Sequence, residues 1–108
     1  MSIIQEIGVL ELKKKLHKKS DLTLVDIREP SELAICKIQE SIHIPMMDIP
    51  NRLHTLDKKK KIIIQCKSGA RSARVCEFLM QAGIQNVKNL KGGILEWIRL
   101  IDPSQPTY

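Results

Sequence analysis

One segment concentrates residues whose types and spacing could do chemistry: Ile62-Ile63-Ile64-Gln65-Cys66-Lys67-Ser68-Gly69-Ala70-Arg71-Ser72. The branched apolar run reads as a buried strand that delivers Cys66 to a short loop, and a helical pattern starts at Ala70. Such a loop can curl so that successive backbone N–H groups aim at one point. The helix N-terminus adds partial positive charge there. Lys67 and Arg71 add formal charge, and Gly69 permits a backbone that a side chain would block. Each feature favours thiolate over thiol, so Cys66 is expected to be an activated nucleophile. A cysteine alone at a strand end would more often be plain core. The strand–Cys–Gly–Arg–helix context is what argues against that bland alternative here.

The elements around this loop follow from periodicity. Leu22 to Ile27 and Lys61 to Gln65 are compact and branched, as strands covered on both faces are. Ile42 to Pro45, Asn86 to Leu90 and an opening stretch Ile4 to Ile7 are shorter strand candidates. Between them lie helical patterns at Val9 to Lys18, with Leu10, Leu12 and Leu16 near one side, and at Glu29 to Cys36, with Pro30 in the first turn. Asp48 to Leu56, Ala70 to Ala82 and Gly93 to Ile101 are the other helices. In the fourth, Arg71, Arg74, Glu77 and Gln81 make a polar stripe, Val75, Cys76, Leu79 and Ala82 face elsewhere, and Gly83 suits the C-terminal cap. The alternation predicts an α/β domain with a mostly parallel central sheet and helices on both faces. Sites in such sheets gather at the carboxyl ends of the strands, where Cys66 lies.

Four ordered motifs then resemble one family. Cys66-Lys67-Ser68-Gly69-Ala70-Arg71-Ser72 is similar to the active-site loop of rhodanese-like sulfurtransferases, and Asp26-Ile27-Arg28-Glu29-Pro30-Ser31-Glu32 to their Asp-x-Arg-x-x-x-Glu segment. His43-Ile44-Pro45 and Leu90-Lys91-Gly92-Gly93-Ile94-Leu95-Glu96-Trp97 match two more. The resemblance covers about residues 4 to 101 of a single rhodanese-like domain spanning 1–108. The tail 102–108 resembles that of rhodanese domains joined to adenylyltransferases that activate sulfur carriers.

This resemblance implies a sulfurtransferase of the thiosulfate type in which Cys66 carries a sulfur atom as a persulfide. Lys67, Ser68, Gly69, Ala70 and Arg71 would bind the anion, and Asp26, Arg28 and Ser72 would give structural support. Donors would be thiosulfate or a protein persulfide such as that of a cysteine desulfurase; acceptors would be a thiol, cyanide or a sulfur-carrier protein. No cofactor and no metal are implied. A non-catalytic rhodanese-like module is the alternative. A phosphatase or arsenate reductase is a further one, disfavoured because Cys66 and Arg71 close a six-residue loop where related phosphatases have one residue more. One departure stands out: Cys36 to Ser41 occupies the place of the family's Gly-His-Ile-x-Gly-Ala.

The remaining residues have plainer readings. Asp26 and Arg28 read as a polar pair pinning a strand end, and Glu32, four residues on, as a partner for Arg28. Cys36 reads as a helix-end residue rather than a resolving thiol, and Cys76 and Trp97 read as packing. Arg74 follows Arg71 by about one turn and either guides anions or is solvated; Met46 and Met47 are expected to fill core. His17, His43 and His54 share no metal-ligand spacing. With 108 residues, 43% apolar, the chain can bury one core. The 18 basic against 12 acidic residues give a net charge of +6, which suits small anions and acidic proteins. Nucleic acid is not expected, because no stacking platform accompanies the charge; the Lys58–Lys61 run reads as a solvated turn. Three cysteines, an odd number, fit a reducing compartment. Neither a basic-then-apolar start in Met1 to Glu6 nor a membrane-length apolar run is present, so the cytoplasm is expected and a membrane is not.

Overall fold

The computed structural model describes residues 3–108; Met1 and Ser2, the first residues of the stretch read for a signal, lie outside them. Five strands, β1 (Glu6–Ile7), β2 (Leu22–Asp26), β3 (Ile42–His43), β4 (Lys61–Gln65) and β5 (Val87–Leu90), form one sheet in the order β1-β5-β4-β2-β3. Every pairing is parallel. β4, the strand that ends at the Cys66 loop, is therefore central, flanked by β2 and β5. That explains its unbroken isoleucines: Ile62, Ile63 and Ile64 are all buried, and successive side chains enter cores on opposite faces.

Helices α1 (Val9–His17) and α4 (Gly93–Leu100) contribute to the core on one face, with Leu12, Ile94, Trp97 and Ile98 against Leu24 and Ile63. Helix α3 (Ala70–Gln81) covers the other, packing Val75, Cys76 and Leu79 on Ile62 and Ile64. The expected parallel sheet with helices on both faces is thus present. Trp97 and Cys76 are packing residues, as read.

Several local readings need correction. Leu10 is exposed, because it sits about 200° around α1 from Leu12; the buried row is Val9 and Leu12, extended by Leu16. Ala82 is exposed, at the end of α3, where Gly83 takes the positive φ that turns the chain out. The stretch read as a helix over Asp48–Leu56 is a run of 3-10 turns, Met46–Thr55, with i to i+3 bonds such as Asp48 N–H to Pro45 O and Leu56 N–H to Leu53 O. Pro50 inside it has no N–H for an α-helical ladder. Met46 packs on the core, but Met47 is exposed and fills none.

The helix read over Glu29–Cys36 shortens to α2 (Pro30–Leu33). Its start is a capping box in which the Glu32 carboxylate accepts the Glu29 N–H at 2.8 Å. Beyond it, the Arg28 guanidinium donates to the carbonyls of Glu32 and Cys36, holding the chain in a turn.

Candidate active site

The strand–loop–helix reading of the Cys66 segment is realised in full: β4 ends at Gln65 and α3 begins at Ala70. Gly69 is the N-cap at φ +110°, a backbone only glycine adopts without strain. With that turn, two N–H donors and one hydroxyl converge on one atom. The N–H groups of Gly69 and Ser72 lie 3.2 and 3.4 Å from Cys66 Sγ, and Ser72 Oγ lies 3.3 Å from it.

Burial pushes the Cys66 thiol up, for the residue is 1% exposed. The Ser72 hydroxyl and the N–H groups of Ser72, Gly69 and Ser68 outweigh burial and hold it below the ordinary thiol value. Cys76, in the same buried cluster, has no such donors among the described residues; burial first, and then the Cys66 charge, push its thiol up to about 12. What this arrangement can do chemically is keep negative charge on a single, enclosed sulfur atom.

The loop's outer side is fixed by α4. Ile94 N–H donates to Cys66 O at 2.9 Å and Leu95 N–H to Lys67 O at 3.2 Å, so the helix N-terminus takes the carbonyls and the loop's own N–H groups stay turned inward. Gly93, at φ +61°, makes this approach possible: a Cβ there would lie 2.4 Å from Lys67 O and 2.6 Å from Cys66 O.

The charged residues are arranged differently from the sequence reading. Arg71 does not stand free beside the sulfur. Its guanidinium makes two bonds, 2.9 and 2.8 Å, to the Glu32 carboxylate. That contact holds Glu32 well below the usual carboxylate range, at about 2. The expected Arg28–Glu32 ion pair is therefore replaced: Arg28 meets only the backbone of Glu32, and the carboxylate goes to Arg71 because it sits across the entrance from α3.

Arg28 and Asp26 form the strand-end pair as read, fully buried and 2.8 Å apart. Lys67 lies over the Tyr108 ring, 4.4 Å from its centroid. Tyr108 is one of the residues that sequence reasoning missed. Its hydroxyl accepts from Arg28 at 3.0 Å and donates to Glu32 at 2.8 Å, tying the Asp26–Arg28 pair to the Glu32–Arg71 pair. Only the resemblance of the tail to longer relatives hinted at it. The tail also settles the atypical Cys36–Ser41 loop. Gln105 bonds both the N–H and the carbonyl of Lys37, at 2.8 and 2.9 Å.

Ser68 and Ala70 are exposed on the loop rim, and Arg74 is exposed one turn along α3. Arg74 borders an apolar groove of about 240 Å³ with Met46, Met47 and Phe78, while a larger concavity of about 470 Å³ lies between the tail, α4 and the Cys36–Ser41 loop. Neither includes Cys66. Among the described residues, no three His, Cys, Asp or Glu side chains are grouped to hold a metal ion.

The rhodanese-like domain family matches residues 9–100. The chain belongs to the rhodanese-like family. It is 42% identical over 94 residues to a protein named putative sulfurtransferase YtwF of Bacillus subtilis, covering 87% of this chain and 90% of that one. It is 41% identical over 97 residues to a protein named sulfurtransferase of Allochromatium vinosum, covering 90% and 91%. A solved rhodanese-like domain protein from Staphylococcus aureus superposes with a TM-score of 0.83 at 33% identity, over 97% of this chain and 99% of that one. Similarity extends to the probable adenylyltransferase/sulfurtransferase MoeZ of Mycobacterium tuberculosis, 30% identical over 91% of this chain and only 26% of that protein. No helix among the described residues is long and apolar enough to cross a membrane.

Proposed function

We propose that this rhodanese-like protein transfers sulfane sulfur through a persulfide on Cys66. The observation that carries the reading is the convergence of the Gly69 and Ser72 N–H groups and the Ser72 hydroxyl on Cys66 Sγ. The names of its relatives, sulfurtransferases over nearly their whole length, support the same chemistry.

In the first step the Cys66 thiolate attacks the outer sulfur of thiosulfate. A sulfur–sulfur bond forms to Cys66, the thiosulfate S–S bond breaks, and sulfite leaves with the electron pair. In the second step cyanide, a thiol or a sulfur carrier takes the outer sulfur and restores the thiolate. This is covalent catalysis in two displacements. Ser68, Gly69 and Ser72 supply the N–H groups of the cradle, and the buried Asp26–Arg28 pair fixes the end of the neighbouring strand β2. Arg71, pinned by Glu32, serves as a fixed rim charge rather than a mobile clamp. The tight fit around one sulfur atom favours a donor that presents a single terminal sulfur over a phosphate group. A protein donor such as a cysteine desulfurase, or a sulfur-carrier acceptor, fits the exposed rim and the net charge of +6. Three unpaired thiols at Cys36, Cys66 and Cys76 support a cytoplasmic setting.

The test is turnover with thiosulfate and cyanide, run beside an aryl phosphate. Thiocyanate should form with the unmodified protein and not with Cys66→Ser, since a hydroxyl in this loop stays protonated at neutral pH. Thiocyanate formation by Cys66→Ser, or efficient phosphate release by the unmodified protein, would overturn the proposal.

A further inference from the structure

Asn89, on β5, was not among the residues read as chemical, yet it is bonded to both halves of the Cys66 site. It is buried, 3% exposed. Its Nδ2 donates to Gly69 O at 3.1 Å, which fixes the orientation of the amide and turns Oδ1 toward Ser72. The Ser72 hydroxyl donates to that Oδ1 while its oxygen also lies 3.3 Å from Cys66 Sγ. A hydroxyl has one proton. With Cys66 as a thiol, every group is satisfied: S–H donates to Ser72 Oγ, and Ser72 O–H donates to Asn89. With Cys66 as a thiolate, the sulfur and Asn89 Oδ1 both require the same Ser72 proton.

We propose that Asn89 is a positioning residue for Cys66, competing for the single Ser72 proton and so setting the charge state in which the sulfur rests. The inference deepens the reading of Cys66 as a thiolate nucleophile and rests on it. When Cys66 ionises, its proton goes to solvent and the Ser72 hydroxyl turns from Asn89 to Sγ: one hydrogen bond breaks and one forms. Asn89 therefore offsets part of what Ser72 gives the bare thiolate. The persulfide escapes that penalty. Its charge lies on the outer sulfur, the inner sulfur is neutral, and Ser72 can return its proton to Asn89. The pair thus biases the site toward the sulfur-loaded form.

The ionisable groups coupled to Cys66 are Arg71 and Cys76 from α3; Glu32 from α2 and Tyr108 from the tail surround Arg71, and Lys67 from the loop lies over the Tyr108 ring. Asn89 is the contribution of β5, and it is neutral at every pH.

The experiment follows alkylation by iodoacetamide against pH, reading the Cys66 peptide by mass spectrometry. Asn89→Leu is a fair probe because Gly69 O keeps a second donor, Ala73 N–H at 3.1 Å, and is not orphaned. Its midpoint should fall by about 0.7 unit, the worth of one ordinary hydrogen bond. Ser72→Ala should raise the midpoint. In the Ser72→Ala background, Asn89→Leu should move it no further. An unchanged or raised midpoint in Asn89→Leu, or an equal fall in the Ser72→Ala background, overturns the inference. Should Asn89→Leu fail to fold, Asn89→Ala carries the same expected signs. The midpoint is a property of the thiol, so a correct shift without any persulfide would defeat the proposed function and leave this inference standing.

Discussion

Substituting Gly93 by alanine should damage the site from behind, with the sequence of the Cys66 loop unchanged. A Cβ at Gly93 would lie 2.4 Å from Lys67 O and 2.6 Å from Cys66 O, and both obstacles are backbone. The start of α4 must then retreat, and the bonds from Ile94 N–H to Cys66 O and Leu95 N–H to Lys67 O are lost or stretched. Two such bonds contribute about 1 kcal/mol each. Alanine at φ +61° adds about 1 kcal/mol of backbone strain. The total is about 3 kcal/mol, a large part of the ~5–15 kcal/mol that holds a typical domain together. Gly69→Ala is the internal control. It suffers strain at φ +110°, but its Cβ would meet nothing closer than 3.7 Å, so about 1–2 kcal/mol is expected. Urea denaturation at neutral pH ranks the two, and the alkylation rate of Cys66 in the folded protein reports whether the cradle has loosened. A Gly93→Ala protein no less stable than Gly69→Ala, with normal Cys66 reactivity, would refute the idea that α4 braces the loop.

Other expectations follow from single groups. Cys76, pushed up to about 12, should stay unalkylated in the native protein at pH 8 while Cys66 reacts, and Cys76→Ser should keep most sulfur transfer, as should Cys36→Ser. Glu32 has a folded value of about 2, below its ordinary 4.5, so its pairing supports the fold fully above about pH 4.5. That support should disappear as pH falls toward 2, so the stability gap between the unmodified protein and Glu32→Gln, measured by urea midpoints, should shrink over the same window; a constant gap contradicts the pairing. Gln65 is buried with neither amide atom bonded among the described residues, so Gln65→Met should raise the thermal midpoint, by the equivalent of about 1–2 kcal/mol. A lower midpoint would show that the amide is satisfied.

The central strands and the Cys66 loop were legible in the sequence because their signals are local. Ile62 to Ile64 announce a buried strand, and Gly69 before an amphipathic run announces a turn into α3. What escaped was set by distant parts of the chain. Nothing near Glu32 says that its carboxylate will leave Arg28, four residues away, for Arg71, 39 residues away. Nothing in the tail says that Tyr108 will join both ion pairs. Gly93 was visible as part of a motif, but its purpose, close passage over the Cys66 carbonyl, depends on how α4 packs. Asn89 gave no signal either, since its partners, Gly69 and Ser72, lie 20 and 17 residues away in the chain. The 3-10 run at Met46–Thr55 was misread as α-helix because apolar spacing alone does not separate the two, although Pro50 inside it was a fair warning.

Mass spectrometry of the intact protein after thiosulfate treatment tests the central claim most directly. The account predicts one added sulfur atom, located on the Cys66 peptide, removed by cyanide and absent from Cys66→Ser. Sulfur on Cys36 or Cys76 instead, or none on an intact and folded protein that still forms thiocyanate, would contradict it.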